Sequence, residues 1–195
     1  MRYEKGHKEE THRKIVETAA ARFRKDGIES VGVADLMAEA GLTHGGFYSH
    51  FSSKEDLVRA AMEEASCHSV SNFERRIEEG GLEQWIRSYL RIAHRDHPEK
   101  GCAAAALVGE LARRPKASRQ AFSENLARVT TSIASHLPAT LTPAGKRRTA
   151  IAIFSTLVGA LQLARAVVDP AHSEEILEAG IASTLDLAGI SSSRQ

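Results

Sequence analysis

The hydrophobic residues of this chain recur every three to four positions along most of its length, the spacing typical of amphipathic helices. Ile15, Ala19 and Phe23 predict a first helix over 9–26, and the polar residues 1–8 are predicted to precede it as a disordered segment. The same spacing predicts further helices over about 33–40, 44–50, 54–79, 82–96, 102–113, 117–136, 143–168 and 173–188. About nine helices are therefore expected.

Composition supports a helical fold. The chain is Ala-rich, has only 5 prolines in 195 residues and is 42% apolar, which favours helices over strands and suffices for a core. Its length allows a small domain followed by a larger one. We therefore predict an all-α protein with an N-terminal three-helix domain at 9–55 and a larger helical domain at 56–190.

The stretch from Glu39 to Lys54 predicts a turn between two helices of the small domain. Gly41 can take the positive φ that ends a helix, and Thr43 is the predicted N-cap of the next one, its hydroxyl bonding an early amide. That next helix is short and carries two adjacent glycines, each costing about 1 kcal/mol relative to alanine. Local stability therefore does not explain why the helix is there.

Its helical wheel indicates a role in binding. Phe47 and Phe51 fall on one side and can anchor the helix, whereas Gly45 and Ser49 face the opposite way. The flanking residues are His44, Gly46, Tyr48 and His50. No acidic residue occurs between Ala40 and Lys54, so a polyanion can approach this face unopposed. Helix, glycine-containing turn and second helix form the helix-turn-helix pattern, whose second helix enters the DNA major groove.

The overall charge is nearly neutral, at +1, which excludes a generally basic nucleic-acid coat protein. The local charge differs, because residues 1–25 hold eight Lys and Arg against four Glu. Together with the acid-free window, this local excess predicts a phosphate-facing surface on the small domain.

Residues 41–51, with the sequence GLTHGGFYSHF, and the following SKEDL at 53–57 resemble the DNA-binding signature of TetR-type transcriptional regulators. The preceding Ile15, Ala19-Ala20, Phe23 and Gly27 are similar to the first helix of the same family. The resemblance covers about residues 11–60, and beyond it only length and helix pattern agree.

This resemblance implies a set of DNA contacts. Thr43, His44 and Gly45 would open the recognition helix and meet base edges, Tyr48 and His50 would hold backbone and bases, and Lys54 would pair with a phosphate. Gly46 and Ser49 are further contact candidates. The alternative is that His44 and His50 are merely exposed and that Tyr48 packs on its own helix.

The helix that starts after Ser52-Ser53 is predicted to be long, ending only at Gly80-Gly81. A stiff rod of this kind can transmit motion between domains. The resemblance also implies an effector pocket in the larger domain, although each lining candidate would serve equally as ordinary core. These candidates are Phe73, Trp85, Tyr89, Cys102, Phe122 and Leu126.

The helix predicted at 143–168 is apolar all round between Ala150 and Ala164, and it is followed by another apolar helix at 173–188. A helix of this kind in a soluble protein must be covered on every side. We expect both helices to meet their symmetry mates in an intermolecular four-helix bundle, which makes the protein a homodimer. Burial within one subunit is the alternative.

Cys67 and Cys102 do not make a disulfide framework, and the charged N-terminus has no apolar signal core. Cys102 lies at a predicted helix N-terminus near His97 and Lys100, which would favour a thiolate sensor; a small buried cysteine is the alternative. A metal site at His94, His97 and Cys102 has no recurring zinc spacing, so no metal and no cofactor are expected. The apolar run 149–164 is too short to span a bilayer, so a cytoplasmic protein without a membrane partner is predicted.

These observations together predict a ligand-responsive DNA-binding transcriptional regulator, a repressor released from a palindromic operator by a small apolar or electrophilic effector. Two alternatives remain open. One is a helical adaptor that keeps the helix-turn-helix shape without binding DNA. The other is an enzyme, against which stands the absence of a nucleophile elbow, phosphate loop or HExxH motif in the sequence.

Overall fold

The computed structural model describes residues 2–190, with side chains described for 6–65 and 70–190, so that Cys67 lies outside the described side chains. Within this part of the chain the structure is helical and contains no strand, which confirms the all-α prediction. The α-helices are α1 (Arg2–Asp26), α2 (Val33–Glu39), α3 (Lys54–Tyr89), α4 (Ile92–Asp96), α5 (Ala103–Leu111), α6 (Lys116–Ser135), α7 (Pro143–Ala166) and α8 (Pro170–Ala188). Two short 3-10 helices, His44–Ser49 and Pro98–Lys100, complete the described elements.

Two predicted helix boundaries are wrong. α1 begins at Arg2 instead of residue 9, because the charged residues that precede position 9 are good helix formers. The helix predicted over 82–96 is broken after Tyr89, where the imidazole Nδ1 of His94 lies 2.6 Å from the Tyr89 carbonyl oxygen. In a continuous helix that carbonyl would accept from the amide four residues on, so the side chain replaces a helical bond. The predicted break at Gly80-Gly81 is confirmed, since Gly81 has a φ of 73°.

The chain divides into two compact units, which we call the head (residues 1–67 and 98–123) and the body (residues 68–97 and 124–195). α3 and α6 each contribute residues to both units. The sequence predicted a different boundary, between residues 55 and 56, which divides a DNA-binding domain from a domain for effector binding and dimerisation. That functional division stays a prediction.

The head is organised around a core supplied by α1, α2, the first 3-10 helix and the start of α3. Phe23, Met37, Phe47 and Leu57 are among its fully buried side chains, each contributing about 1.5–3 kcal/mol of burial free energy. α5 belongs to the same core, through Ala103, Leu107 and Leu111. The sequence had placed this helix in the larger domain.

The body is organised around α7 and α8, which pack along each other. Thr142 and Asp169 cap their N-termini by accepting bonds from the amides of Gly145 and Ala171, both at 3.1 Å. At Gly180 a Cβ atom would lie 2.6 Å from the Cβ of Ala160, so the two helices approach too closely for any side chain there.

α7 is long and apolar enough to cross a membrane by length and composition alone, with a mean hydropathy of 1.4 over its most apolar window. The core helix of a soluble protein meets the same criterion. One side of α7 is buried within the chain, as in such a core helix: Ile153, Leu157 and Leu161 are each 0% exposed.

Candidate nucleic-acid interface

Residues His44–Ser49, which we call the recognition turn, form a single 3-10 helix after α2. Gly41, with a φ of 72°, ends α2, and the amide of Leu42 donates to the Met37 carbonyl at 2.8 Å. Thr43 is the N-cap with extended backbone, but its side chain makes no capping bond, contrary to prediction. The Gly46 amide instead donates to the Thr43 carbonyl at 3.0 Å, as the tighter 3-10 geometry requires.

Two phenylalanines hold the recognition turn to the head core. Phe47 and Phe51 are 1% and 4% exposed, and their ring centroids are 5.5 Å apart. Tyr48, between them in sequence, is 67% exposed and touches Phe47 only edge-on. Tyr48 also meets the His44 ring edge-on at 6.0 Å, so the alternative that it packs on its own helix stays open.

The other predicted contact residues lie on or beside the outward face. Thr43, His44, Gly45 and Ser49 are exposed, and a Cβ atom added at Gly45 would have nothing within 4 Å. The Ser49 hydroxyl donates to the Gly46 carbonyl at 2.7 Å, which leaves its oxygen free to accept. Gly46, His50 and Lys54 are half-buried. All eight predicted residues thus lie on the recognition turn or within five residues of it, and each is at least partly exposed; their role in DNA contact stays a prediction.

The acidic residues that follow Lys54 are neutralised locally. Ser53 caps α3 by accepting from the Asp56 amide at 3.1 Å, and the Asp56 carboxylate accepts from the amide and hydroxyl of Ser52. These bonds hold the pKa of Asp56 below its usual range, with burial opposing and Arg59 adding to the effect. Arg59 also forms an ion pair with Asp56. The carboxylates therefore do not reverse the sign of the surface next to Lys54.

A polar cluster on α5 and α6 fixes the framework of the head. The Glu110 carboxylate accepts from the amides of Ile28 and Glu29 at 3.0 and 3.1 Å, directly after α1. At Gly27, where φ is 84°, a Cβ atom would lie 2.7 Å from Glu110 Oε1. This contact explains why the chain needs glycine at the end of α1.

The second part of the same cluster joins α6 to the start of α3. Arg114 lies 3.2 Å from the Glu55 carboxylate, and its Nη2 atom lies 2.7 Å from Glu29, an ion-pair distance without hydrogen-bond geometry. The hydroxyl of Ser118, 1% exposed, donates to Glu55. Sequence reasoning missed Glu110, Arg114 and Ser118, because no periodic or motif signal links residues about sixty to eighty positions apart.

The six predicted effector-pocket residues are divided between the two units. Phe73, Trp85 and Tyr89 form a buried aromatic cluster in the body, in which the first pair meets edge-on at a centroid distance of 4.7 Å and the second pair is tilted at 5.8 Å. Leu126 is half-buried in the body. Cys102, the half-buried N-cap of α5, and Phe122 belong to the head. An effector role for any of them stays a prediction.

His94 is the most strongly perturbed base in the body. Burial lowers its pKa to about 4, against the opposing effect of its bond to the Tyr89 carbonyl. Arg165 donates to the carbonyls of His94 and Arg95 at 2.6 and 3.0 Å, which fixes α4. In the described part of the chain, no group of three or more His, Cys, Asp or Glu residues is placed to hold a metal ion.

Comparisons with known proteins agree with this description of the head. Residues 15–61 match the family described as bacterial regulatory proteins, tetR family. The chain is 30% identical over 86 residues to the uncharacterized HTH-type transcriptional regulator YfiR of Bacillus subtilis, covering 44% of this chain and 42% of that protein. It is 36% identical over 63 residues to the HTH-type transcriptional regulator TtgR of Pseudomonas putida, covering 32% and 30%. The matched segments thus span less than half of these relatives.

Solved structures extend the likeness to the whole fold. A TetR-family transcriptional regulator from Cytophaga hutchinsonii superposes with a TM-score of 0.76 at 20% identity, covering 97% of this chain and 98% of that one. At this identity the likeness concerns the fold. The family match covers residues 15–61, a segment that includes the recognition turn with its buried Phe47 and exposed Tyr48. Residues 15–61 thus match the tetR family of bacterial regulatory proteins, and the chain as a whole has the fold of the solved TetR-family regulator.

Proposed function

We propose that the protein is a ligand-responsive DNA-binding transcriptional regulator, a repressor that a small apolar or electrophilic effector releases from a palindromic operator. One observation carries the DNA-binding part. The recognition turn, held down by Phe47, exposes His44, Gly45 and Tyr48 on a surface where no acidic residue occurs between positions 40 and 54. Hydrogen-bond donors and a bare backbone on an acid-free stretch of the chain suit the edge of a DNA duplex.

The proposed contacts divide into two kinds. Lys54 and Tyr48 hold phosphates and set the register, while Thr43, His44 and Gly45 approach base edges, with Gly46, Ser49 and His50 beside them. Close approach at Gly45 is supported by the open space where a Cβ atom would stand.

The test is selection of a binding duplex from a random pool, followed by affinity measurements at several salt concentrations. We expect a palindromic sequence and an affinity that falls steeply with salt, because the Lys contacts release counterions. A Tyr48→Ala, Lys54→Ala double variant should lose most of this affinity. Its matched control is Lys116→Ala, which removes an exposed charge at the start of α6. Retained affinity in the double variant would contradict the assigned contacts.

We further propose a homodimer through α7 and α8. Ile151 and Leu163 on α7 are 44% and 61% exposed, and Leu187 on α8 is 41% exposed, although each lies on an otherwise apolar helix. A second copy would cover them and complete a four-helix bundle. A two-fold dimer of this kind presents two recognition turns to half-sites about 34 Å apart.

Leu163→Arg should convert the dimer to a folded monomer, as measured by sedimentation and circular dichroism. Ile92→Arg is the control, because Ile92 is 47% exposed and belongs to α4, not to α7 or α8. A dimer that survives Leu163→Arg would place the interface elsewhere.

The effector proposal concerns the aromatic cluster of Phe73, Trp85 and Tyr89 in the body and, for an electrophile, the thiol of Cys102. Alkylation of Cys102 followed by a DNA-binding assay tests the electrophile: unchanged affinity after full modification would remove it. An apolar effector should quench Trp85 fluorescence.

Two rival functions are distinguished by the same assays. A helical adaptor would show no salt-dependent DNA binding, and an enzyme would show turnover without DNA. The relatives are named as transcriptional regulators, which favours regulation over catalysis. A cytoplasmic location follows from this proposal, because the DNA is there.

A further inference from the structure

A surface depression of about 390 Å³ lies beside the recognition turn, between its end and the N-terminal half of α1. Its lining residues are Lys8, Glu9, His12, Ser49 and His50. Ser49 and His50 belong to the proposed DNA-contacting set, whereas the three α1 residues do not. The depression therefore extends the outward face of the head onto a second helix.

Helical geometry places the basic α1 residues on the same side. Lys8 and His12 are four residues apart, one turn of α1, so their side chains lie one above the other. The His12 ring stacks on Phe51 at a centroid distance of 4.6 Å and lies 6.0 Å from the His50 ring. Phe51 is a core residue of the head, so the stack fixes His12 next to His50.

His50 presents a neutral donor to the depression. Its Nδ1 atom is buried and has no hydrogen-bond partner, so a proton on that nitrogen would be a buried, unpaired N–H group. Burial, with His12 and Lys8 adding to it, lowers the pKa of His50. The lowered pKa favours the neutral ring, whose proton then lies on Nε2 and can donate to an anion.

The charged groups that line the depression are one cation and one anion. Lys8 contributes a positive charge and Glu9 a negative one, while Asp56 on α3 is occupied by Ser52 and Arg59. A dianion or a phosphodiester would be attracted by Lys8 and opposed by Glu9. The volume admits a phosphate group with several waters, each of about 30 Å³.

We propose that one backbone phosphate of the bound duplex sits in this depression, contacted by Lys8, His12 and His50. This inference rests on the proposed DNA-binding function. The contact lies outside the recognition turn and anchors the N-terminal half of α1 to the DNA. Because a phosphate carries no base identity, the contact strengthens binding to every sequence and does not select among them.

The salt dependence of DNA affinity separates the two kinds of donor. Lys8→Ala should weaken binding about fivefold per subunit and reduce the slope of log affinity against log salt by about one per subunit, because one counterion fewer is released. His50→Phe should weaken binding by a similar factor without changing the slope, because a neutral donor releases no counterion. Glu9→Gln should strengthen binding several-fold. Each effect should be equal on the selected duplex and on a scrambled duplex of the same length.

Lys25→Ala is the matched control, since it removes an exposed lysine from the opposite end of α1. If Lys8→Ala behaves like Lys25→Ala while the selected duplex is still bound, the phosphate contact is wrong and the proposed function stands. If the unaltered protein binds neither duplex, the proposed function and this inference fail together.

Phosphate ethylation provides a second measurement that does not depend on affinity. Ethylation of the proposed phosphate in each half-site should interfere with binding of the unaltered protein and of Lys25→Ala. It should interfere measurably less with Lys8→Ala, in which only His12 and His50 still contact that phosphate. An unchanged interference pattern in Lys8→Ala would overturn the proposal.

Discussion

The recognition turn of the head and the α7 helix of the body both expose side chains, but the exposed side chains of the two elements differ in chemistry. On the recognition turn the exposed side chains are polar or absent, as at His44, Gly45 and Ser49. On α7 they include the large apolar side chains of Ile151 and Leu163. The buried residues of the two units are much more alike, being mostly Ala, Leu, Ile and Phe in both.

This difference shows that exposed residues indicate the kind of partner, whereas buried ones indicate only that a core exists. A polar, acid-free surface favours an anion, because its donors remain hydrogen-bonded to water until a phosphate or base edge replaces that water. An exposed apolar stripe favours another apolar surface. If this comparison is right, substitutions of buried residues should lower stability, and substitutions of exposed residues should lower binding to a partner.

The largest effect is expected from Phe47→Ala in the head. Phe47 is 1% exposed and packs against Phe51, so its removal should destabilise the head by about 3–5 kcal/mol. Chemical denaturation followed by circular dichroism would measure the loss. Tyr48→Ala is the matched control at the adjacent position: being 67% exposed, Tyr48 should cost less than about 0.5 kcal/mol on removal while DNA affinity falls. Equal destabilisation by the two variants would contradict the anchoring role of Phe47.

The head core could be predicted from the sequence because its determinants are local. Ile15, Phe23, Met37 and Phe47 are buried as their helical spacing predicted, and Gly41 ends α2 as its position indicated. The exposed positions of the recognition turn followed from the same helical wheel. Each of these signals is contained within a few turns of helix.

Contacts between distant residues could not be predicted. The α5 helix joins the head core, and Glu110 binds amides 81 and 82 positions away, yet neither leaves a periodic signal. The break after Tyr89 was missed for a related reason, since His94 fits a helical pattern and disrupts it only through its side chain. Helical spacing reports which face is buried, not which helix buries it.

The second largest effect concerns pH and the body. His94 has a pKa of about 4 in the folded chain, against about 6.5 when unfolded, so the unfolded state binds the proton first as the pH falls. Stability should therefore fall from about pH 6.5 to about pH 4, by on the order of 3 kcal/mol in total, and this contribution should be flat outside that window.

The variant for this test is His94→Asn, whose amide can still donate to the Tyr89 carbonyl but does not titrate. Unfolding free energies measured across the window should converge for the two proteins as the pH falls. His172→Asn, at an exposed position of α8, is the control variant. If the stability difference between His94→Asn and the unaltered protein does not vary with pH, His94 is not the group responsible.

A smaller effect is expected from Arg114→Ala in the head. The Arg114 side chain is 14% exposed and pairs with Glu29 and with Glu55, whose side chain is 28% exposed. Its loss leaves the Glu55 carboxylate with only the Ser118 hydroxyl, which should cost about 2 kcal/mol by denaturation. Arg113→Ala removes an adjacent exposed arginine and should cost almost nothing. Equal effects of the two variants would show that the ion pairs of Arg114 do not stabilise the head.

The smallest change compares one glycine from each unit, Gly45 on the recognition turn and Gly159 on α7. A Cβ atom added at either position has nothing within 4 Å in the single chain, so alanine should alter stability by less than about 1 kcal/mol at both. The binding partners should separate them. Gly45→Ala should lower DNA affinity and leave the dimer intact, because the methyl group meets only the duplex. Gly159→Ala should weaken the dimer, as measured by sedimentation, because the methyl group meets only the second copy of α7. If either variant changes neither assay, the surface around that glycine does not approach its proposed partner closely.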